Sequence, residues 1–234
     1  LLDLTIEGWF KFEGDINGGH YAIFGGESSN FFIGKNGGGD GNLFIQDGNN
    51  SSHNHAVGTE HAFDGNWHHI AYSFVDVEPG AGGDGKLFLD GELVLAQHFD
   101  GGHDEIWLGH ENESNGFFFE GLLDEVMISN VAKYNENFNP TPTYESDENT
   151  IAYYRFNSGY DDILYDVSGN QNNAIIYGAS WYEESWYEQD STGDPCCYSD
   201  ENIVDCLGNC SDSDDFIGNT DELDELGFDC AGIC

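Results

Sequence analysis

The sequence predicts an all-β fold: a two-sheet antiparallel sandwich followed by a small, irregular segment. Three observations point there. No segment sustains the 3.6-residue apolar period of a capped helix. Short apolar runs recur instead, bounded by Gly, Asn and Asp clusters. Asp90-Gly91 stands between two such runs as a two-residue hairpin turn.

The elements follow in order. Leu4-Thr5-Ile6-Glu7-Gly8-Trp9-Phe10-Lys11-Phe12 alternates, with Leu4, Ile6, Phe10 and Phe12 on one face and Thr5, Glu7 and Lys11 on the other. Further strands are expected at 20–24, 30–34, 42–46, 67–77, 86–90, 92–97, 105–109 and 116–129. Residues 36–41 and 78–85 are glycine-rich and read as loops. Residues 130–149 are polar, carry Pro140 and Pro142, and read as a connector. A last block, 150–181, brings strands near 151–156 and 173–177. The composition then shifts, and a boundary near residue 188 divides a sandwich of 1–187 from a tail of 188–234.

Composition bounds the function. An apolar fraction of 38%, with 15% aromatics, argues for a packed core. There are 45 Asp and Glu against five basic residues, a formal charge of -40. Such a surface repels phosphate backbones and anionic membranes, so neither is an expected partner. Counter-ions must make the fold tolerable. One source is a salty medium, since at 1 M salt the Debye length falls to about 3 Å. The other is Ca²⁺, whose oxygen ligands this chain has in excess. No apolar run approaches the roughly 20 residues that cross a bilayer, so membrane insertion is not expected. Without an initiating Met, the chain reads as a mature product or an internal piece of a longer one. All six cysteines fall between 196 and 234 and point to an oxidising, extracellular or cell-surface location.

The strand sequences carry a likeness. Leu4-Thr5-Ile6-Glu7-Gly8-Trp9-Phe10-Lys11 resembles the early strand of laminin G-like, concanavalin A-like jelly rolls. Asn66-Trp67-His68-His69-Ile70-Ala71 resembles their central strand. Lys86-Leu87-Phe88-Leu89-Asp90-Gly91-Glu92-Leu93-Val94 resembles their hairpin, and Phe119-Glu120-Gly121-Leu122-Leu123-Asp124-Glu125-Val126-Met127-Ile128 their closing strand. The resemblance implies a jelly-roll of two antiparallel sheets, glycan or protein binding outside the cell, and frequent use of calcium. Ile151-Ala152-Tyr153-Tyr154-Arg155-Phe156 and the run from Asp166 to Trp181 resemble the beginning of such a domain, yet stand at the end. Either this block completes its own sandwich, or it completes a neighbouring copy by strand donation, which would make the chain a subunit of an extracellular filament or sheath. In the tail, Asp205-Cys206-Leu207-Gly208-Asn209-Cys210 recurs as Asp229-Cys230-Ala231-Gly232-Ile233-Cys234, resembling Cys-Gly-Asp repeats of secreted marine microbial surface proteins.

The candidate chemistry is binding rather than catalysis. Retaining glycosidases place two carboxylates about 5 Å apart. Glu120, Asp124 and Glu125, or Asp90 and Glu92, lack the spacing of the cluster used by glucanases of this fold, and no enzyme is expected. Parity puts Asp124 on the face of Val126 and Ile128, where a carboxylate needs a hydrogen bond or a cation. Asp161, Asp162, Asp166, Ser168 and Asn170 offer calcium-type oxygens within ten residues, against the plainer reading of an Asx-rich turn. In the tail, Asp205, Asp212, Asp214, Asp221 and Asp229 are further calcium candidates. There Cys196, Cys197, Cys206, Cys210, Cys230 and Cys234 allow three disulfides in fifteen connectivities. Nine histidines show no familiar zinc spacing. Trp107, opposite in parity to Ile106 and Leu108, is the candidate for stacking on a sugar ring.

Overall fold

The structure, a computed structural model, describes residues 3–26, 31–37, 41–47, 54–78, 82–99, 105–111, 117–157 and 162–182. The chain divides into a unit of Leu1–Tyr182 and one of Glu183–Cys234. The described residues form two antiparallel sheets and contain no α-helix. None of their helices is long and apolar enough to cross a membrane.

The six-stranded sheet has the order β11 (Thr150–Tyr154), β10 (Gly121–Ser129), β1 (Leu4–Phe12), β6 (Trp67–Glu78), β7 (Gly82–Leu89) and β8 (Glu92–Phe99). The five-stranded sheet has the order β5 (Asn54–Ala56), β4 (Leu43–Gln46), β3 (Phe31–Lys35), β2 (Tyr21–Gly26) and β9 (Trp107–Leu108). Strands β12 (Ile163–Leu164) and β13 (Ala174–Ile175) form a small hairpin. Ile6, Phe10, Ile70, Tyr72, Phe74 and Val126 from one sheet and Ile23, Phe31, Ile33, Leu43 and Ile45 from the other share one core. Each is almost wholly withdrawn from water, and each such side chain stabilises the fold by about 1.5–3 kcal/mol. The Phe31 and Tyr72 rings meet across the two layers at 5.9 Å.

The alternation of β1 holds: Leu4, Ile6, Phe10 and Phe12 all face this core. The Asp90-Gly91 turn also holds. Both residues have positive φ, 50° and 78°, as a type I′ hairpin demands. Other boundaries move. β7 starts at Gly82, inside the run read as a loop, because rings and backbone close over those glycines. A β-carbon on Gly83 would lie 2.0 Å from the Val75 carbonyl oxygen, and one on Gly85 would lie 2.5 Å from the Phe99 ring. β9 and β10 are shorter than expected, and β5 and a 3-10 turn at Glu60–Phe63 carry no sequence signal strong enough to predict them.

Two findings concern the second half. The connector 130–149 lies along the outer face of the six-stranded sheet, where its aromatic rings have surface to bury. And β11 pairs with β10 of its own chain, Val126↔Tyr154 to Ser129↔Thr150. Leu164, Ala174, Ile176 and Trp181 then pack on the main core. The displaced block thus covers the edge of its own sheet, the intramolecular alternative.

Candidate functional site

The middle of the outer face of the six-stranded sheet is covered, while Trp67, Val75 and Val77 of β6, on the same face, are exposed. Thr5, Glu7 and Trp9 on β1 point there, as do His69 and Ser73 on β6, and the 130–149 strap lies over them. The Thr5 hydroxyl donates to the Val131 carbonyl at 2.7 Å and accepts from the Lys133 N–H at 2.9 Å. Glu7, 1% exposed, accepts from Lys133 Nζ at 3.0 Å and from the Tyr134 hydroxyl at 2.8 Å. Burial alone would raise the Glu7 carboxyl; His69, Lys133 and Tyr134 outweigh it and hold it below its ordinary value. Trp9 Nε1 donates to the Thr141 carbonyl at 3.2 Å. His69 Nε2 and the Tyr144 hydroxyl share a hydrogen bond of 2.8 Å. Tyr134 and Phe138 stack at 3.7 Å, and the Phe88 ring packs edge-on to both. At the hairpin the Phe138 N–H donates to the Gly91 carbonyl at 2.9 Å. This face is a second, partly polar core and offers no ligand surface beneath the strap.

The outer face of the five-stranded sheet differs. Phe32, Phe44 and Ala22 form a small cluster with Phe117, flanked by His20 and His55. Beside it β9 pairs with β2, Gly25↔Trp107 and Phe24↔Leu108. Ile106 and Leu108 pack on the core, so Trp107 faces outward as its parity predicts, though half-buried. The chain then turns at Gly109 (φ 71°) and comes back over the sheet. A β-carbon on Gly25 would lie 2.2 Å from the His110 carbonyl oxygen and 2.6 Å from the Glu111 Cα, so only glycine lets this loop down. His110 sits between two rings. Trp107 meets it edge-on at 5.7 Å, and Phe118 stacks on it in parallel at 4.3 Å. Phe118 is 57% exposed. Trp107 Nε1 and Glu111 Oε2 are buried and have no hydrogen-bond partner among the described residues. Burial raises the Glu111 carboxyl. The result is a ring stack whose outer member, Phe118, is exposed.

Of these residues the sequence named only Trp107. The signal for Phe118 was present in Phe117-Phe118-Phe119. Phe119 packs on the main core and Phe117 on the small cluster, leaving Phe118 between them with neither. His110 stood out only among the histidines weighed for a transition metal, and nothing marked Glu111.

The expected cation ligands separate. Asp124 does not share the face of Val126 and Ile128. Glu125 adopts φ 50° and forms a bulge opposite Gly8, so pairing passes from Glu7↔Met127 to Trp9↔Asp124 and the parity flips. Asp124 accepts the Glu125 N–H at 2.9 Å, and burial raises its carboxyl. Asp166 behaves as a turn organiser. Its Oδ1 accepts the N–H groups of Tyr153 and Ser168, each at 2.9 Å, and its Oδ2 that of Asn172 at 3.0 Å. Asn170 spends its amide N–H groups on the carbonyls of Thr150 and Ile151, at 2.7 and 3.2 Å. The Asp162 backbone carbonyl accepts the Ile176 N–H at 2.8 Å. Among the described residues no three His, Cys, Asp or Glu gather into a metal site. Asp161, Asp205, Asp212, Asp214, Asp221 and Asp229 lie outside the described residues, as do Cys196, Cys197, Cys206, Cys210, Cys230 and Cys234.

Three of the five carboxylates weighed for catalysis, Asp90, Asp124 and Glu125, are engaged. Asp90 bonds His68 and the His69 N–H, and Glu125 accepts from the Tyr153 hydroxyl.

Comparison with known proteins matches the geometry at the level of fold. A carbohydrate-binding assignment attaches to a Bacteroides ovatus protein that shares 15% identity at a TM-score of 0.54, over 75% of this chain and 55% of that one. The native heptameric SAP-like pentraxin of Limulus polyphemus shares 19% identity at a TM-score of 0.42, over 57% of this chain and 66% of its own. The LG4-5 domains of the mouse laminin α1 chain share 16% identity at a TM-score of 0.40, over 62% of this chain and 42% of theirs. This chain therefore spans less than two thirds of each of them. A search of curated proteins returns no match. The family model of the concanavalin A-like lectin/glucanases superfamily matches residues 2–137, more than half of the sequence. The chain belongs to the concanavalin A-like lectin/glucanases superfamily.

Proposed function

We propose that residues 1–182 form a non-catalytic binding module of a larger secreted or cell-surface protein, with a glycan or an extracellular protein as ligand. One observation carries this reading: the strap covers the middle of one outer face of the sandwich, while the other presents Phe118 as the exposed member of the Phe118–His110–Trp107 ring stack. Stacked aromatic rings suit the apolar face of a sugar, and exposed rings anchor protein partners equally well. The carbohydrate-binding assignment of the Bacteroides ovatus protein favours the glycan. Asp90, Asp124 and Glu125, three of the carboxylates weighed for catalysis, are held by neighbouring side chains and backbone, which favours binding over hydrolysis. The filament reading by strand donation loses its motive, because β11 fills the edge of its own sheet. Calcium belongs in this proposal only for the acidic, cysteine-bearing tail, on the ground of its sequence. The test is a glycan array probed with the full chain and with Phe118→Ala. Binding that disappears in the variant at unchanged melting temperature supports the module; equal binding by both would place the ligand elsewhere.

A further inference from the structure

We propose that the turn from Asp166 to Asn172 is a plug on a strand-accepting edge, and that the strand it excludes is β11 of a second copy of this chain. The inference stands apart from the ligand-binding face.

β11 covers the edge of β10 and so becomes the edge of the six-stranded sheet itself. Edge strands are ordinarily blunted by charge or proline, because their free N–H and C=O groups template another strand. β11 has neither. Among the described residues, Thr150-Ile151-Ala152-Tyr153-Tyr154 is the only strand of this sheet with no charged side chain. Its β-branched and aromatic residues are of the kind that pairs most readily.

The turn meets the backbone of this strand on the side away from β10. The Val167 N–H donates to the Tyr153 carbonyl at 2.8 Å. The other bonds come from side chains. Asp166 Oδ1 accepts the Tyr153 N–H at 2.9 Å. Asn172 Nδ2 donates to the Ile151 carbonyl at 2.8 Å, and Asn170 Nδ2 to the carbonyls of Thr150 and Ile151 at 2.7 and 3.2 Å. Positive φ at Gly169, 91°, and at Gln171, 62°, folds the turn back so that both amides reach the strand. A seventh strand would need these same backbone groups. Side chains take its place and offer no further ladder beyond them.

β11 is complementary to itself. In antiparallel pairing about a two-fold axis through Ala152, Ile151 of each copy stands opposite Tyr153 of the other, and such pairs exchange two backbone hydrogen bonds. Each strand then receives what the plug now supplies. The formal charge of -40 opposes the meeting of two copies in dilute salt. In about 1 M salt the repulsion is screened beyond about 3 Å, and the plug alone stands in the way.

The test is sedimentation velocity of the full chain in dilute salt and in about 1 M salt. Asn170→Ala/Asn172→Ala frees the Thr150 and Ile151 carbonyls and leaves the bonds of Asp166 in place. Adding Asp166→Ala frees the Tyr153 N–H as well. The parent should stay monomeric in both media, and the variants should dimerise in the higher salt. A labelled peptide of residues 148–156 should bind the double variant at least about 10-fold more tightly than the parent, since it no longer competes with two side-chain amides. The same peptide N-methylated at Ile151 and Tyr153 should lose that binding. Should the triple variant fail to fold, the double variant decides. Three results each overturn the inference: a parent that dimerises in the higher salt as readily as the variants; a folded double variant that stays monomeric or binds the peptide no better than the parent; and an N-methylated peptide that binds as well as the unmodified one.

Discussion

Glu7 on β1 and Lys133 on the strap stand 126 residues apart in sequence and meet at 3.0 Å beneath a cover of aromatic rings. Glu7 is fully buried, Lys133 only partly, so the pair draws its strength from the carboxylate's surroundings. Replacing Glu7 by Gln should destabilise the sandwich by about 3 kcal/mol, because the ammonium then lies under the strap without its counter-charge. The sign of the pH dependence follows from the direction of the shift. The folded carboxyl sits below its ordinary 4.5, so its contribution is present above that value and is lost as pH falls through the folded value. Thermal melts of parent and Glu7→Gln should converge in acid and separate above about pH 5. A constant gap across that range would mean the charge is not what holds the strap.

His68 works in the opposite direction. Its Nδ1 lies 2.8 Å from Asp90 Oδ2 and its Nε2 3.2 Å from Asp64 Oδ1, so both carboxylates are satisfied together only by the imidazolium. The bond to Asp90 leads the forces that raise the His68 value above 6.5. A group raised on folding stabilises fully below its unfolded value and loses that contribution as pH climbs through the folded value. Both carboxylates are more than a third exposed, and solvent screening limits the contribution to about 1 kcal/mol. The advantage of the parent over His68→Gln in melting temperature should therefore shrink between about pH 6 and 8. A pH titration of the His68 ring resonances checks the direction independently.

What was legible in the sequence was what alternation and turn chemistry encode. Period-two patterning placed β1 and its core face, and Asp90-Gly91 placed the hairpin. The failures have physical causes. A strand that begins with Gly82-Gly83 reads as a loop, because the side chains filling that space belong to Phe74 and Phe99, distant in sequence. The bulge at Glu125 shifts parity by one, and nothing local announces it. The strap reads as polar because its residues bury against polar partners on β1 and β6. The candidate site was half visible: Trp107 by its parity, and His110 only as a histidine weighed for a metal, since it comes beside Trp107 only through the turn at Gly109.

Asp166 yields a prediction that separates calcium from turn chemistry. Burial alone would raise its carboxyl, but the hydrogen bonds from Ser168, Tyr153 and Asn172 outweigh it and hold it low. Its oxygens already serve backbone donors, so the melting temperature of the sandwich should not change between excess EDTA and millimolar Ca²⁺. Asp166→Ala should cost about 2 kcal/mol in either medium, since three N–H groups lose their acceptor. If calcium stapling operates in this chain, limited proteolysis with and without chelator should show its effect only within residues 183–234. A chelator-dependent melt of the sandwich that Asp166→Ala abolishes would assign an ion to this turn after all.

Gly25 offers the sharpest handle on the ring stack, because its role is steric and touches no ligand. It pairs with Trp107 below the returning loop, and the space for its missing side chain is taken by the His110 carbonyl and the Glu111 backbone. An alanine β-carbon at 2.2 Å from a carbonyl oxygen cannot be accommodated, and that oxygen belongs to backbone rather than to a side chain that could swing aside. The loop must lift, taking His110 and Glu111 with it, while β2 keeps its pairing with β3 through the other edge. Gly25→Ala should therefore cost about 1–3 kcal/mol, the range of overpacking, and leave the sandwich folded. The stack of Phe118 on His110 should open, visible as loss of the ring-current shift on the His110 imidazole protons. Ligand binding should fall with it, because the ring stack that presents Phe118 comes apart. Unaltered His110 resonances in Gly25→Ala would show that the loop does not rest on this glycine, and the geometry drawn for the site would have to be abandoned.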